Sequence, residues 1–189
     1  MASNKIIMKK TLLLIAGIAI TNIFYAQIFV GKTCSTHFFS KTSMKDIEAK
    51  SNTSKPVLDP ASGSFQMRIQ NTSFKFESSF MEEHFNENYM ESEKYPYTTF
   101  KGKINEKVDY TKDGEYKVTC TGAMDMHGTI NQIITLGTLT VKGKEITMVS
   151  KFKIKPADYK IKVPSLYVKE IAEEIDVDIT TLMEPYVKK

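Results

Sequence analysis

The chain has 189 residues, 41% hydrophobic and 25% charged, which is enough length and apolar content for one domain with a packed core. Its formal charge of +4 would suit a nucleic-acid partner, but it falls to +1 once Lys5, Lys9 and Lys10 are counted as part of a removable leader. With no helix-turn-helix or RNA-binding signature in the rest of the chain, nucleic acid is excluded as a partner.

The leader comes first in chain order. Lys9 and Lys10 precede the apolar run TLLLIAGIAI, and the stretch closes on NIFYAQ. A basic start, a short apolar run and a small residue before a polar one describe a secretory signal peptide, with cleavage after Ala26. The run is shorter than the roughly 20 apolar residues a spanning helix needs, so no stable membrane span is expected after its removal. Met8, directly before Lys9, reads as a start residue, which makes residues 1–7 an upstream extension. No lipid-attachment box precedes Cys34. The expected division is a signal peptide over 1–26 and one domain over 27–189, placed in the periplasm or secreted.

Beyond the leader the dominant period is two, the mark of half-buried antiparallel strands. Strands are expected near 31–39, 43–50, 63–76, 97–108, 115–127, 131–141, 145–155 and 174–182, with 159–163 as an extension. In the third, GSFQMRI puts Phe65, Met67 and Ile69 on one face, and Phe74 and Phe76 follow at its end. SFMEEHFNENY then interrupts the strands. Ser79 with Glu82 three residues on reads as a capping box, and Met81, Phe85 and Tyr89 stack at helical spacing. Phe100 lies on the next strand. EYKVTCTGAMDMHG turns Val118, Met124 and Met126 to one side with Cys120 and Gly122, and KEITMVSKFKIKP does so with Ile146, Met148 and Phe152. Asp113-Gly114 and KGKE at 142–145 supply hairpin turns. A second short amphipathic turn, SLYVKEIAEE, follows Pro164. Cys34 and Cys120 have no CxxC spacing, so a redox motif is absent, and a disulfide or two buried thiols both remain open. NTS sequons stand at Asn52 and Asn71.

Eight strands with one apolar face close most economically into a barrel. The other face carries Lys, Asp and Glu along most strands, too charged for lipid, so the apolar face must point inward. An eight-stranded barrel is just wide enough to fill itself or to hold one ligand. Gly102 and Gly122 at inward positions, with several flexible methionines, favour a cavity. On strand parity its candidate lining is Phe65, Met67, Ile69, Phe74, Phe76, Phe85, Tyr89, Phe100, Val118, Met124, Met126, Ile146, Met148 and Phe152. Each buried CH₂ contributes about 0.8 kcal/mol, so a prenyl unit contributes roughly 3–4 kcal/mol, against an association cost on the order of 4–15 kcal/mol. A long apolar chain therefore suits such a cavity better than a small metabolite.

Glu82, Glu83, His84 and Glu87 offer a different reading, as metal ligands or an acid–base set. On a helix Glu83 shares a face with Glu87, while His84 shares one with Asn88, which leaves no convergent three-ligand set. No nucleophile motif or phosphate loop accompanies them. The expectation is a solvated helix face capping one barrel end, with His84 half-buried against a backbone or carboxylate partner, no metal and no catalysis. A metal-binding protein or enzyme built on Glu82, Glu83 and His84 is the alternative. A structural or stress protein whose barrel binds partners is a weaker third.

EEHFNENYMESEKYPYTTFKGKI at 82–104, GAMDMHGTINQI at 122–133 and FKIKPADYKIKVP at 152–164 stand in an order and spacing that resembles the YceI-like family, over about 34–182. The match includes Gly122, Met124, Gly128 and Thr129. Met81 and Glu82 stand where the family usually has a basic–acidic pair, and FNENYMES looks like a Bacteroidetes-type variant. The resemblance implies an all-β fold, an eight-stranded antiparallel lipocalin-like β-barrel with one or two short capping helices. It further implies an exported protein that is not an enzyme, needs no cofactor, and holds a long-chain polyisoprenoid or similar amphiphile for transport, storage or stress protection. The oligomeric state and the ligand's identity are not specified.

Overall fold

A computed structural model describes residues 27–167 and 169–187. The leader and its cleavage point lie outside the described residues. Ten strands are formed: β1 (Phe29–Lys41), β2 (Asp46–Ser51), β3 (Val57–Asp59), β4 (Ser64–Gln70), β5 (Lys75–Phe76), β6 (Tyr97–Ile104), β7 (Gly114–Met126), β8 (Thr129–Lys142), β9 (Glu145–Ile154) and β10 (Ile175–Pro185). One helix, α1 (Ser79–His84), lies between β5 and β6.

All pairings are antiparallel, and the circuit β1–β3–β4–β6–β7–β8–β9–β10 closes because β10 pairs back onto β1 along most of its length. The barrel therefore has eight staves, two of them split. β2 and β3 lie along the same edge of β1, Thr36 opposite Ser51 and Val30 opposite Val57, so residues 52–56 face 31–35 without changing register. The break falls at Pro56, which has no N–H to give the ladder. Gly31 donates its N–H to the Pro56 carbonyl at 2.8 Å. The second split lies between β4 and β5, where a 3₁₀ turn over Asn71–Ser73 resets the side-chain parity. That reset is why odd-numbered Phe65, Met67 and Ile69 and even-numbered Phe74 and Phe76 all turn inward. Asn71 at its start is fully buried, so the sequon there is closed to a glycan in the folded chain, while Asn52 is exposed.

Several expectations give way to the structure. Residues 159–163 are not a strand: Pro156–Tyr159 form a 3₁₀ turn, and Lys160 takes a left-handed conformation (φ 57°) that ends it. Asp113-Gly114 does not make a tight hairpin. β6 stops at Ile104, and residues 105–113 form a longer loop around Asp109, whose carboxylate accepts the Thr111 N–H at 3.0 Å. The tight hairpin here joins β7 to β8, with His127 (φ 52°) and Gly128 (φ 68°) both left-handed, the pairing a type I′ turn requires. The capping box also fails. Ser78 is the N-cap, with no side-chain cap bond, and Glu82 instead pairs with Lys75 on β5.

The barrel has two unlike ends. At one, Leu58, Leu139, Ile146 and Met183 are completely buried and fill the interior. The other is covered by α1 and by residues 156–167 and 169–171. The outer face is laced with surface ion pairs such as Lys151–Asp178 (2.9 Å) and Lys153–Asp176 (3.1 Å). β8 departs from this pattern, with Ile130, Ile134 and Leu136 exposed on its outer face. No helix among the described residues is long and apolar enough to cross a membrane.

Cys34 and Cys120 are buried free thiols. Burial pushes the Cys120 thiol up to about 11, with the Glu106 carboxylate adding to the rise, and burial raises Cys34 as well. The thiolate is the reactive form. Both cysteines are therefore expected to resist an aromatic disulfide reagent at pH 8 in the native protein and to react fully in denaturant. Rapid stoichiometric labelling of native protein would contradict this burial.

Candidate functional site

The interior at the helix-covered end holds a cavity of about 220 Å³. Its wall is almost wholly apolar, and it reaches the surface beside Phe80, which lines it while remaining 61% exposed. Along the strands it is bounded below by Met67, Phe100, Met124, Phe152 and Ile179, which also line a second void of about 40 Å³ nearer the closed end. These side chains form a floor between the two spaces.

Two glycines shape that floor. Gly102 and Gly122 face each other across β6 and β7. A Cβ on Gly102 would come within 2.6 Å of the Phe100 ring, and one on Gly122 within 2.8 Å of it. The space these glycines open is thus occupied by the Phe100 ring lying over them, rather than being part of the cavity.

The cover is built from aromatic contacts. Phe38 on β1 meets Phe74, Phe76 and Phe85 with ring centroids 5.3, 5.6 and 5.5 Å apart, and Phe85 meets Phe76 at 5.1 Å. Offset and edge-on rings at this spacing contribute about 0.5–1.5 kcal/mol per pair beyond area burial. After His84 the chain widens into a π turn over Phe85–Tyr89, closed by the Met90 N–H to the Phe85 carbonyl at 2.8 Å. Such turns occur often at functional sites. Asn86 staples it, donating to the Glu82 carbonyl (2.9 Å) and accepting from the Ser92 hydroxyl (2.7 Å). The result turns Met81, Phe85, Tyr89 and Met90 onto the cavity.

Ten of the fourteen sequence candidates are brought onto the cavity wall: Met67, Ile69, Phe74, Phe76, Phe85, Tyr89, Phe100, Met124, Met126 and Phe152. Phe65, Val118 and Met148 line the small void instead. Ile146 lines neither; it lies in the filled end, because parity gives the face of a strand and not the depth at which the barrel is already full. Sequence reasoning missed Phe38, whose strand alternates Cys34, Thr36, Phe38 and Ser40 and so hides its period. It also missed Ile161, Val163, Tyr167 and Ile171, which reach the cavity from irregular chain.

The charged cluster separates. Glu83 and Glu87 are exposed, and Glu82 is held by Lys75. His84 is half-buried, but its neighbours are rings rather than a carboxylate: Phe80 at 4.0 Å and Tyr167 at 6.4 Å. His37 pairs with Glu48 at 2.8 Å, and His127 lies 3.0 Å from Glu91. Among the described residues no three His, Cys, Asp or Glu side chains come together as a metal site. At the mouth, Lys45 and Glu170 face each other at 3.9 Å. Burial pushes the Tyr89 phenol up, with Tyr167 and Glu170 adding to it, so it stays neutral.

This architecture is shared with solved structures of low sequence similarity. A polyisoprenoid-binding domain from Saccharophagus degradans superposes with a TM-score of 0.72 at 16% identity, covering 84% of this chain and 98% of that one. BcnA of Burkholderia cenocepacia gives 0.66 at 19% identity, covering 79% and 95%. A YceI protein of Campylobacter jejuni gives 0.57 at 21%, covering 72% and 81%. No curated protein matches the sequence. The family profile of the YceI-like domain matches residues 27–183, which spans every stave of the barrel, and the chain belongs to the YceI-like family.

Proposed function

We propose that this protein is an exported binding protein, not an enzyme, that holds one long-chain polyisoprenoid or similar amphiphile for transport, storage or stress protection. The observation that carries this reading is the apolar cavity of about 220 Å³ under the aromatic cover. An apolar cavity of about 150 Å³ holds one benzene ring, so this one, at about 220 Å³, has room as it stands for about nine carbon atoms, roughly two prenyl units. At roughly 3–4 kcal/mol per unit, two units barely offset the association cost, so a ligand that binds well is longer than the enclosed void. A longer chain would need Met67 and Met124 to change rotamer and join the second void, a movement methionine makes readily. The polyisoprenoid-binding domain of shared fold supports the same ligand class, and the leader supports a periplasmic or secreted location.

The test is mass spectrometry on protein recovered from the exported fraction of an expressing bacterium. Native spectra are expected to show one bound lipid per chain, and its organic extract a long apolar chain. The intact mass is expected to place Gln27 first. Lipid-free protein that also fails to take up a prenyl chain after delipidation would overturn the binding reading.

A further inference from the structure

Met67 on β4, Phe100 on β6 and Met124 on β7 stand side by side at one level of the sheet, Met67 opposite Phe100 and Phe100 opposite Met124. Together with Phe152 on β9 and Ile179 on β10 they line both the cavity of about 220 Å³ and the void of about 40 Å³, so the wall between the two spaces is one side chain thick. These five are not equally mobile. The Phe100 ring is pinned over Gly102 and Gly122 and packs on Phe65 with centroids 6.3 Å apart. Ile179 is branched at Cβ and therefore stiff at χ1. The Phe152 ring can turn only by sweeping a large volume of a packed interior. Met67 and Met124 are unbranched, with three rotatable side-chain bonds each. The polar contact at the Met67 sulfur is the Cys34 thiol at 4.0 Å, a weak donor to a weak acceptor. The floor therefore opens at the two methionines.

The lower void suits only a small apolar group. Val118, Cys120 and Met148 wall it, and the Ser150 hydroxyl beside it is already donated to the Leu136 carbonyl at 2.7 Å. Among the described residues, neither of the two buried side-chain oxygens without a partner lines it. At one benzene ring per about 150 Å³, it adds room for about one or two carbon atoms. We propose that Met67 and Met124 form a gate in the floor that selects the ligand by the shape of its end. They part for the end of an acyclic chain, which then rests in the lower void against Met148, and they stay closed to a chain that ends in a ring. This deepens the binding reading above and rests on it. The ligand class narrows to open-chain amphiphiles with an apolar, unsubstituted end. Each CH₂ group carried through the gate is worth about fourfold in affinity.

The methionines themselves mark the depth a chain reaches. Met90 and Met126 line the upper cavity only, Met148 lines the lower void only, and Met183 lies in the filled end. The test uses delipidated protein carrying ¹³C-methyl methionine and two fifteen-carbon alcohols, all-trans farnesol and the ring-ended 9-cyclohexylnonan-1-ol. Intermolecular nuclear Overhauser effects are expected from farnesol to Met90 or Met126 and to Met148, and from the ring-ended alcohol to the upper methyls alone. Neither should reach Met183. Titration is expected to favour farnesol about four- to sixteenfold, the worth of one or two further buried carbons. Isoleucine keeps the bulk of methionine but is stiff at χ1. The double variant Met67→Ile, Met124→Ile is therefore expected to lose the farnesol contact with Met148 and to bring the preference below about twofold. Its retained contacts with Met90 and Met126 show that it is folded. Wild-type farnesol that touches the upper methyls but not Met148 overturns the gate, whether or not the variant folds. A Met148 contact from the ring-ended alcohol also overturns it, as does a farnesol contact that survives the double variant. If neither alcohol touches any cavity methyl of the wild type, the binding reading itself is overturned.

Discussion

Gly122→Ala is expected to destabilise the protein by about 3 kcal/mol and to lower its thermal midpoint by roughly 6–12 °C. The new Cβ would meet the Gly102 Cα and the Lys101 carbonyl oxygen well inside van der Waals contact, and the Phe100 ring at 2.8 Å. A flexible side chain could move aside, but two of the three obstacles are backbone in a paired strand. Relief would come only by separating β6 from β7 or by driving the Phe100 ring up from the floor into the cavity. Ligand retention should therefore fall together with stability. The measurement is thermal unfolding by circular dichroism, alongside lipid content in native mass spectra. A midpoint within about 2 °C of wild type would show that the floor is looser than this contact set requires.

Asn71→Ala is expected to cost about 2–4 kcal/mol, because it removes a fully buried side chain and orphans two part-buried hydrogen-bonding groups at once. The Asn71 side chain donates to the Tyr95 carbonyl at 2.6 Å and accepts from the Thr98 hydroxyl, while its backbone N–H donates to the Pro96 carbonyl at 2.9 Å. It thereby fastens the break between β4 and β5 to the start of β6, beside the cavity wall. Asn71→Asp, of the same size, is expected to be no milder, since a carboxylate has no proton to give Tyr95 and would bury a charge. Urea unfolding followed by circular dichroism checks both. A midpoint shift for Asn71→Ala worth less than about 0.5 kcal/mol would show that water replaces the side chain there at little cost.

The barrel itself was readable in the residues. Alternation in stretches such as EYKVTCTG and KEITMVSKF is a local property of a strand with one buried face, so the eight staves and the inward face of Met67, Val118, Met124 and Met148 follow from period two alone. Lysines on the opposite faces excluded a lipid-facing exterior, and the motifs around Phe100, Gly122 and Pro156 pointed to the family that the domain profile then matched. The helical spacing of Met81, Phe85 and Tyr89 also marked the cover correctly, although the turn that delivers them is a π turn.

Depth and partnership were decided only by the tertiary structure. A void is what remains after side chains from all eight staves have been placed at a given level, and that level depends on the stagger of the closed sheet, which no single strand encodes. Hence Ile146 and Met124 have the same parity, yet one sits in a filled end and the other in a cavity floor. Hydrogen bonding is global in the same way: Glu82 finds Lys75 rather than the helix start, His84 finds Phe80, and Asn71 finds Tyr95. Burial and partnership are both set by residues far away in the chain.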